Sequence, residues 1–142
     1  GSHSVSCTGL LGRFLDLTHA YRFGPPVCDV VVATLRNVEG EQIAQTFYFP
    51  QGMSALSERD AGLHAEVMPV DAQTLQVKVS ARRLAIGVHF DAMGFTADNE
   101  FFHLAPNAHM TVVLRSNRPR AFSGVVCAIN SATDTTLEHA SC

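Results

Sequence analysis

The chain has 142 residues, of which 46% are hydrophobic and 16% are charged, and its formal net charge is −3. This length fits one domain whose core needs no metal or disulfide staple, and the dispersed charge excludes a polybasic segment for nucleic acid or membranes. There is no run of 18 apolar residues, so no membrane span is predicted. Residues 1–4 read as an expression scar, and we therefore expect a domain cut from a longer chain.

Apolar residues recur in short runs between turn signals, which is typical of strands rather than helices. Residues 5–26 are interpreted as an N-terminal linker and first strand, with the strand over Arg13–His19 and an extended break at Phe23–Pro26. The runs at 27–36 and 42–49 predict a hairpin through the turn Asn37–Gly40, where glycine supplies a positive φ. We expect the apolar side chains of this hairpin to lie near the core: Val27, Val31, Ala33, Leu35, Ile43, Phe47 and Phe49.

A second hairpin is predicted over 63–70 and 74–81, with its turn at Asp71–Gln73. In the run 74–81 the apolar side chains alternate with polar ones, as in an antiparallel sheet with one wet face. Leu75, Val77 and Val79 are expected to point inward. Further strands are predicted at 84–90 (Leu84, Ile86, Val88 and Phe90 on one face), 110–114 and 122–130.

About eight short strands at this spacing predict an all-β fold, an immunoglobulin-like antiparallel β-sandwich. The chain has no Trp, so the Cys…Trp…Cys hallmark of antibody domains is missing. We expect residues 27–131 to form the sandwich core of the same single domain and residues 132–142 to form a C-terminal tail.

The segment between strands 84–90 and 110–114 carries a corner motif of Asp98, Asn99, Phe101, Phe102, Leu104 and Pro106. Its large apolar side chains are expected to close the sandwich, because burying each contributes about 1.5–3 kcal/mol. The carboxylate and amide of its first two residues are expected to accept local backbone N–H groups. Adjacent residues of an extended chain face opposite ways, so one phenylalanine ring is expected to point inward and the other toward a missing neighbour domain.

The corner motif stands in the stretch "ADNEFFHLAPN". It resembles the Ser-Asp-Asn-(Phe/Tyr)-Phe-x-Leu-x-Pro-Gly signature near the end of family-two glycoside hydrolases of the β-mannosidase type. The segments "VHFDAMGF", "VVVATLRNVEGEQIAQTFYFP" and "YRFGPP" are similar to further parts of that family, bacterial members included. Two departures are Glu100, an extra residue, and Asn107, which replaces the usual Gly but tolerates a positive φ.

The resemblance implies the C-terminal immunoglobulin-like accessory domain of such an enzyme. The parent would hydrolyse terminal β-linked mannose, and this domain would have a structural or substrate-entrance role. Its expected partners are other domains of the same parent chain and, through the parent, an oligosaccharide. Bacterial cytoplasm and periplasm both remain open as its location.

The sequence predicts no catalytic, metal or cofactor residues. Asp91, Asp98 and Glu100 are candidates for paired glycosidase carboxylates by residue type, but their positions favour turn capping. The resemblance places the two catalytic glutamates in an upstream (β/α)8 barrel of about 250 residues, which this chain cannot contain. His103 and His109 lack a third metal ligand at a suitable spacing.

Two other functions remain open at this point: a carbohydrate-binding module and an adhesion or protein-interaction domain. Sugar platforms usually need exposed Trp or Tyr, and only Tyr21 and Tyr48 are available. Cys28 and Cys127 fall in predicted strands and are interpreted as buried thiols, with a disulfide as the alternative. The basic clusters Arg82–Arg83 and Arg115, Arg118 and Arg120 are interpreted as solvated turns.

Overall fold

A computed structural model of the protein describes residues 4–13, 28–53 and 60–137. Within these residues it has one short helix, α1 (Cys7–Leu11), and ten strands. The strands are β1 (Val31–Arg36), β2 (Gln42–Tyr48), β3 (Leu63–Pro69), β4 (Thr74–Ala81), β5 (Ala85–Asp91), β6 (Phe95–Ala97), β7 (Phe102–Leu104), β8 (His109–Ser116), β9 (Val125–Cys127) and β10 (Thr135–Thr136). The chain falls into two compact units, Gly1–Ala55 and Leu56–Cys142.

The first unit contains α1 and an antiparallel hairpin of β1 and β2. Ser6 caps the helix, since its hydroxyl accepts the N–H of Gly9 at 3.1 Å. The predicted hairpin turn is confirmed: the N–H of Gly40 donates to the carbonyl of Asn37 at 3.0 Å. Gly40 has a φ of +86°, the conformation for which a glycine was expected there.

The expected burial of this hairpin is wrong at several positions. Leu35 is 59% exposed and Ile43 is 62% exposed, because a two-stranded sheet covers neither of its own faces. The strand also begins at Val31, so Cys28 does not lie in a strand. A strand was predicted over Arg13–His19, and all of it after residue 13 lies outside the described residues. The predicted break at 23–26 also lies outside them.

The described residues of the second unit form two four-stranded antiparallel sheets. Their strand orders are β3-β4-β8-β6 and β10-β9-β5-β7. The described chain is thus mostly antiparallel β-structure with almost no helix, as the alternating pattern predicted. In β4 the inward positions are also confirmed, since Leu75, Val77 and Val79 are at most 5% exposed.

Both four-stranded sheets contribute side chains to a single hydrophobic core. Val77 and Val112 come from the first sheet, and Val88 and Val126 come from the second; each of the four is fully buried. Thr135 in β10 also bonds through its hydroxyl to the carbonyl of Leu63 in β3, at 3.1 Å. The core therefore joins the two sheets within this unit.

The connection between β5 and β8 contains two strands that the sequence did not predict. The three-residue β6 pairs with β8 in the first sheet, and the three-residue β7 pairs with β5 in the second. The chain therefore passes from one sheet to the other at residues 98–101, where the corner motif begins. The strand predicted over residues 122–130 is shorter than expected, since only β9 forms there. The predicted C-terminal tail, residues 132–142, contains the strand β10.

Strand β5 departs from simple alternation because its pairing with β7 shifts register between Ala85 and Val88. Gly87 lies in this irregularity with a φ of +59°, a conformation typical of a β-bulge glycine. We call this feature the Gly87 bulge. Ala85 and Val88 both reach the core as a result, so the expected single apolar face of residues 84–90 is wrong.

Among the described residues, no helix is long and apolar enough to cross a membrane.

Candidate functional site

The corner motif begins with a residue that extends the ladder between β6 and β8. The backbone N–H of Asp98 donates to the carbonyl of Val113 at 3.0 Å. Its side-chain Oδ1 accepts the N–H of Val113 at 2.9 Å. The acceptor role matches the chemistry expected of Asp98, but the donor lies in the neighbouring strand and not in the local turn.

Asn99 was expected to accept a backbone N–H, but in the structure Asn99 donates and its neighbour Glu100 accepts. The side-chain amide of Asn99 donates to the sulfur of Met110 at 3.2 Å. It is Glu100 that accepts a backbone donor, the N–H of Phe90, at 3.1 Å. The apparent extra residue of the motif therefore bonds the corner to β5.

The two phenylalanines of the motif face opposite ways. Phe102 is 9% exposed and belongs to the core, with its ring 6.4 Å from that of Phe90. Phe101 is 61% exposed and stacks on the imidazole of His89, with ring centroids 5.0 Å apart and planes at 16°. Phe101 also has a φ of +56°, which is unusual for a bulky residue.

The end of the motif is a turn that leads into β8. Leu104 is 1% exposed and lies in the core, whereas Pro106 is exposed. Asn107 has a φ of +60°, so this residue adopts the conformation that would otherwise favour glycine. Its N–H donates to the carbonyl of Ala81 at 2.9 Å, which ties the turn to the end of β4.

Two histidines clamp the backbone of the Gly87 bulge. Nδ1 of His103 accepts the N–H of Gly87 at 3.0 Å, and Nδ1 of His89 lies 3.0 Å from the carbonyl of Gly87. Because Nδ1 of His103 accepts a hydrogen bond, the His103 ring must be neutral, and burial lowers the pKa of that residue. No sequence pattern indicated this pair, because His89 and His103 are separated by the corner segment.

Cys127, which lies beside His89, is not suited to act as a nucleophile. Cys127 is the register partner of His89 across β5 and β9. Burial, followed by a hydrogen bond with Asp134, raises the pKa of Cys127 to about 11. A thiol with that pKa is protonated at neutral pH and is a poor nucleophile.

The expected state of the cysteines is only partly met. Cys28 and Cys127 are both free thiols, so they do not form the alternative disulfide. Both are half-exposed and not buried, and neither therefore behaves as a fully enclosed small hydrophobe.

The candidate carboxylates and histidines do not assemble into a recognisable reactive centre. The carboxylates of Asp98 and Glu100 each accept a backbone N–H, but from β8 and β5 and not from the turn that they were expected to cap. His103 and His109 lie on strands of different sheets. Within residues 4–13, 28–53 and 60–137, no group of three or more His, Cys, Asp or Glu side chains could hold a metal ion.

Comparison with protein-family models and with curated proteins found no match to this chain.

Proposed function

We propose that this chain is the non-catalytic C-terminal accessory domain of a β-mannosidase-like glycoside hydrolase, with an immunoglobulin-like β-sandwich fold. The observation that carries the proposal is the exposed ring of Phe101, presented at the corner motif on a left-handed backbone. In this proposal the corner serves as a contact surface for another domain of the same parent chain. The parent enzyme, and not this domain, would cleave terminal β-linked mannose.

The sandwich fold is supported by the way the two four-stranded sheets share one core. Sheets that pack face to face bury alternate residues of their strands against each other. Val77 of β4 and Val88 of β5 are such residues, and both are fully buried in the common core. The crossing of the chain from β6 to β7 is also compatible with connections between the layers of a sandwich.

The contact surface is supported by the conformation of Phe101. A left-handed conformation costs a non-glycine residue roughly 1–2 kcal/mol, and such strain often marks functional positions. Here the strained residue carries an apolar ring that is 61% exposed. An adjoining domain of the parent chain would cover this ring, which gives the strained conformation a function.

The proposal is tested first in the isolated chain. We expect no hydrolysis of aryl β-mannosides above a heat-inactivated control, because Asp98 and Glu100 are engaged by backbone donors. Turnover that is lost on Asp98→Asn or Glu100→Gln would overturn the assignment.

The second test uses the longer protein encoded with the segment that precedes residue 5. We expect that segment to contain a barrel with paired catalytic glutamates, and we expect Phe101→Ser to lower the melting temperature of the longer protein. Met93→Ser is the matched control, since Met93 is an apolar residue that is 82% exposed outside the corner motif. A preceding segment without a barrel, or equal effects of the two variants, would count against the proposal.

Carbohydrate binding by this domain itself is a second candidate, favoured by the exposure of Tyr48. This residue is 48% exposed on β2, whereas Tyr21 lies outside the described residues. Aromatic faces are common platforms for sugars, so Tyr48 is the residue to examine. A sub-millimolar affinity for mannobiose that is lost in Tyr48→Ala would put this function first, and no heat or shift change in the titration would exclude it.

A further inference from the structure

A cationic pocket opens beside the joint between β6 and β8. It has a volume of about 380 Å³ and is lined by Arg115, Arg118 and Arg120 together with polar and aromatic neighbours. Arg115 lies within β8 and not in a turn, so the sequence interpretation of this cluster as a solvated turn is wrong for that residue. The fold thus places three exposed arginine residues around one cavity.

The positive charge of this pocket is not neutralised by close ion pairs. Among the described residues, the ion pairs with carboxylates are His64–Glu66 and Arg82–Asp60, and neither involves the pocket arginines. The pKa of Asp71 is lowered mainly by a hydrogen bond from Gln73, and the field of Arg115 is its smallest cause. Arg115 therefore acts on a neighbouring carboxylate only through space.

One wall of the pocket is shaped by a glycine. Gly94 has a φ of +79°, and a Cβ at this position would overlap the guanidinium of Arg120. The Arg120 side chain therefore lies directly against the bare backbone of Gly94. A side chain at residue 94 would displace it.

The backbones that carry the other two arginines are also fixed. Arg115 is paired with Thr96 of β6 on one side and with Thr74 of β4 on the other. The carbonyl of Arg118 accepts the hydroxyl of the buried Ser116 at 2.8 Å. The backbone of Arg115 is thus held by the sheet and that of Arg118 by one hydrogen bond, which reduces the ordering cost of binding.

We propose that this pocket binds the phosphate group of a small phosphorylated molecule. Guanidinium groups bind phosphate oxygens in a bidentate manner, and three of them can match the oxygens of one dianion. Thr96 and Asn117, which also line the pocket, supply further hydrogen-bond donors. This inference goes beyond the proposed accessory role and does not depend on it.

The size of the pocket favours a small molecule over a long polyanion. A volume of about 380 Å³ is larger than a bare phosphate needs, and small-molecule sites typically span roughly 300–1,000 Å³. The ring of Phe95, packed edge-on against Phe122 at 5.2 Å, adds an apolar wall for the rest of such a ligand. The net charge of −3 for the whole chain disfavours nucleic acid as the partner.

The test is an NMR titration of the whole chain with inorganic phosphate at constant ionic strength. We expect saturable shifts of the amides of residues 94–96 and 115–120. The triple variant Arg115→Gln, Arg118→Gln, Arg120→Gln should bind at least about tenfold more weakly, because it removes the charge-assisted hydrogen bonds. Acetate should bind the wild-type chain at least several-fold more weakly than phosphate does.

The matched control is a second triple variant, Arg36→Gln, Lys78→Gln, Arg82→Gln, which removes three positive charges outside the pocket. Its affinity for phosphate should stay within about twofold of the wild-type value. Gly94→Ala retains all three arginine residues but should weaken phosphate binding, since its Cβ would displace the guanidinium of Arg120. Circular dichroism establishes that each variant is folded. Shifts that do not saturate, shifts that persist in the pocket triple variant, or equal affinity for acetate would each overturn the proposal.

Discussion

At the corner, the side chain of Asp98 accepts a backbone N–H that a carbonyl group of a neighbouring strand would otherwise accept. Its Oδ1 accepts the N–H of Val113 at 2.9 Å, and Asp98→Ala leaves that donor without its partner. We expect the free energy of unfolding to fall by about 1 kcal/mol, near the lower bound for such losses because Asp98 is exposed to water. Asp98→Asn keeps an acceptor oxygen, so its free energy of unfolding should lie within about 0.5 kcal/mol of the wild-type value. Urea titrations measure both, and an Asp98→Ala variant as stable as the wild type would contradict this role.

The paired phenylalanines predict two different responses to truncation. Phe102→Ala should lower the free energy of unfolding by about 3–5 kcal/mol, because it empties a ring-sized space in the core. Phe101→Ala should cost far less, since that ring is 61% exposed.

Phe101→Gly separates the ring from the backbone conformation. We expect it to be more stable than Phe101→Ala by about 1 kcal/mol, since glycine adopts a positive φ without the usual steric cost. Chemical denaturation of the three variants gives these differences, and equal stability of Phe101→Gly and Phe101→Ala would show that the left-handed conformation stores no strain.

His103 predicts a pH dependence of stability. Burial lowers the pKa of His103 in the folded chain, whereas the unfolded chain titrates near pH 6.5. Above about pH 7 both states are neutral and the residue contributes no pH dependence. As the pH falls below 6.5 the unfolded state binds more protons, so stability falls until the lowered pKa is passed.

Thermal melts between pH 8 and pH 5 measure this effect. His103→Asn is the matched control, because an amide oxygen can accept the N–H of Gly87 without titrating. The melting temperature of the wild type should fall more steeply with acidification than that of the variant. Identical profiles for the two proteins would exclude His103 as the source of the pH dependence.

At the level of elements, the joint between β5 and the end of β9 depends on one buried amide. Asn130 is 9% exposed; its Oδ1 accepts the N–H of Ile86 at 2.8 Å and its Nδ2 donates to the carbonyl of Leu84 at 2.9 Å. Asn130→Ala should lower the free energy of unfolding by about 2–3 kcal/mol, because two backbone groups lose their partner.

The exposed Asn117 is the control for this variant, and Asn117→Ala should stay within about 0.5 kcal/mol of the wild type. Hydrogen exchange at the Ile86 amide reports the same bond directly, with faster exchange expected in Asn130→Ala. Unchanged exchange at Ile86 in that variant would contradict the role of the amide.

Which elements could be predicted depended on their length and pattern. The eight residues of β4 carry a clean alternation, and their inward positions followed from it. Strands β6 and β7 have three residues each, too few for a period, and they are defined by partners in different sheets. The Gly87 bulge shifts the alternation of β5 without a mark in the apolar pattern, since only tertiary pairing fixes its position.

For the molecule as a whole, the position of a motif was easier to predict than the residues that its side chains contact. The corner motif could be located from its acid–amide pair and aromatics. The opposite facing of Phe101 and Phe102 was expected from an extended backbone, but Phe101 has a left-handed φ of +56° that the sequence did not indicate. The partner of Asp98 in β8, the contact between Glu100 and β5, and the gathering of three arginines depend on strand order. Strand order joins residues distant in sequence, so a single chain without its fold does not reveal these partners.

The last prediction concerns the two compact units. Every residue of the buried core lies between Ala61 and Leu137, and none of the described residues up to Met53 belongs to it. We therefore expect residues 56–142 expressed alone to keep a β-sheet circular dichroism spectrum and to unfold cooperatively. Its free energy of unfolding should follow the usual scale of roughly 0.05–0.15 kcal/mol per residue.

Residues 1–55 expressed alone are the matched comparison. Their described strands form one two-stranded sheet, β1 with β2, and an isolated hairpin of this kind is at best marginally stable in water. We expect a broad, non-cooperative melt from this piece. A cooperative transition in residues 1–55, or the lack of one in residues 56–142, would show that stability is not concentrated in the core shared by the two four-stranded sheets.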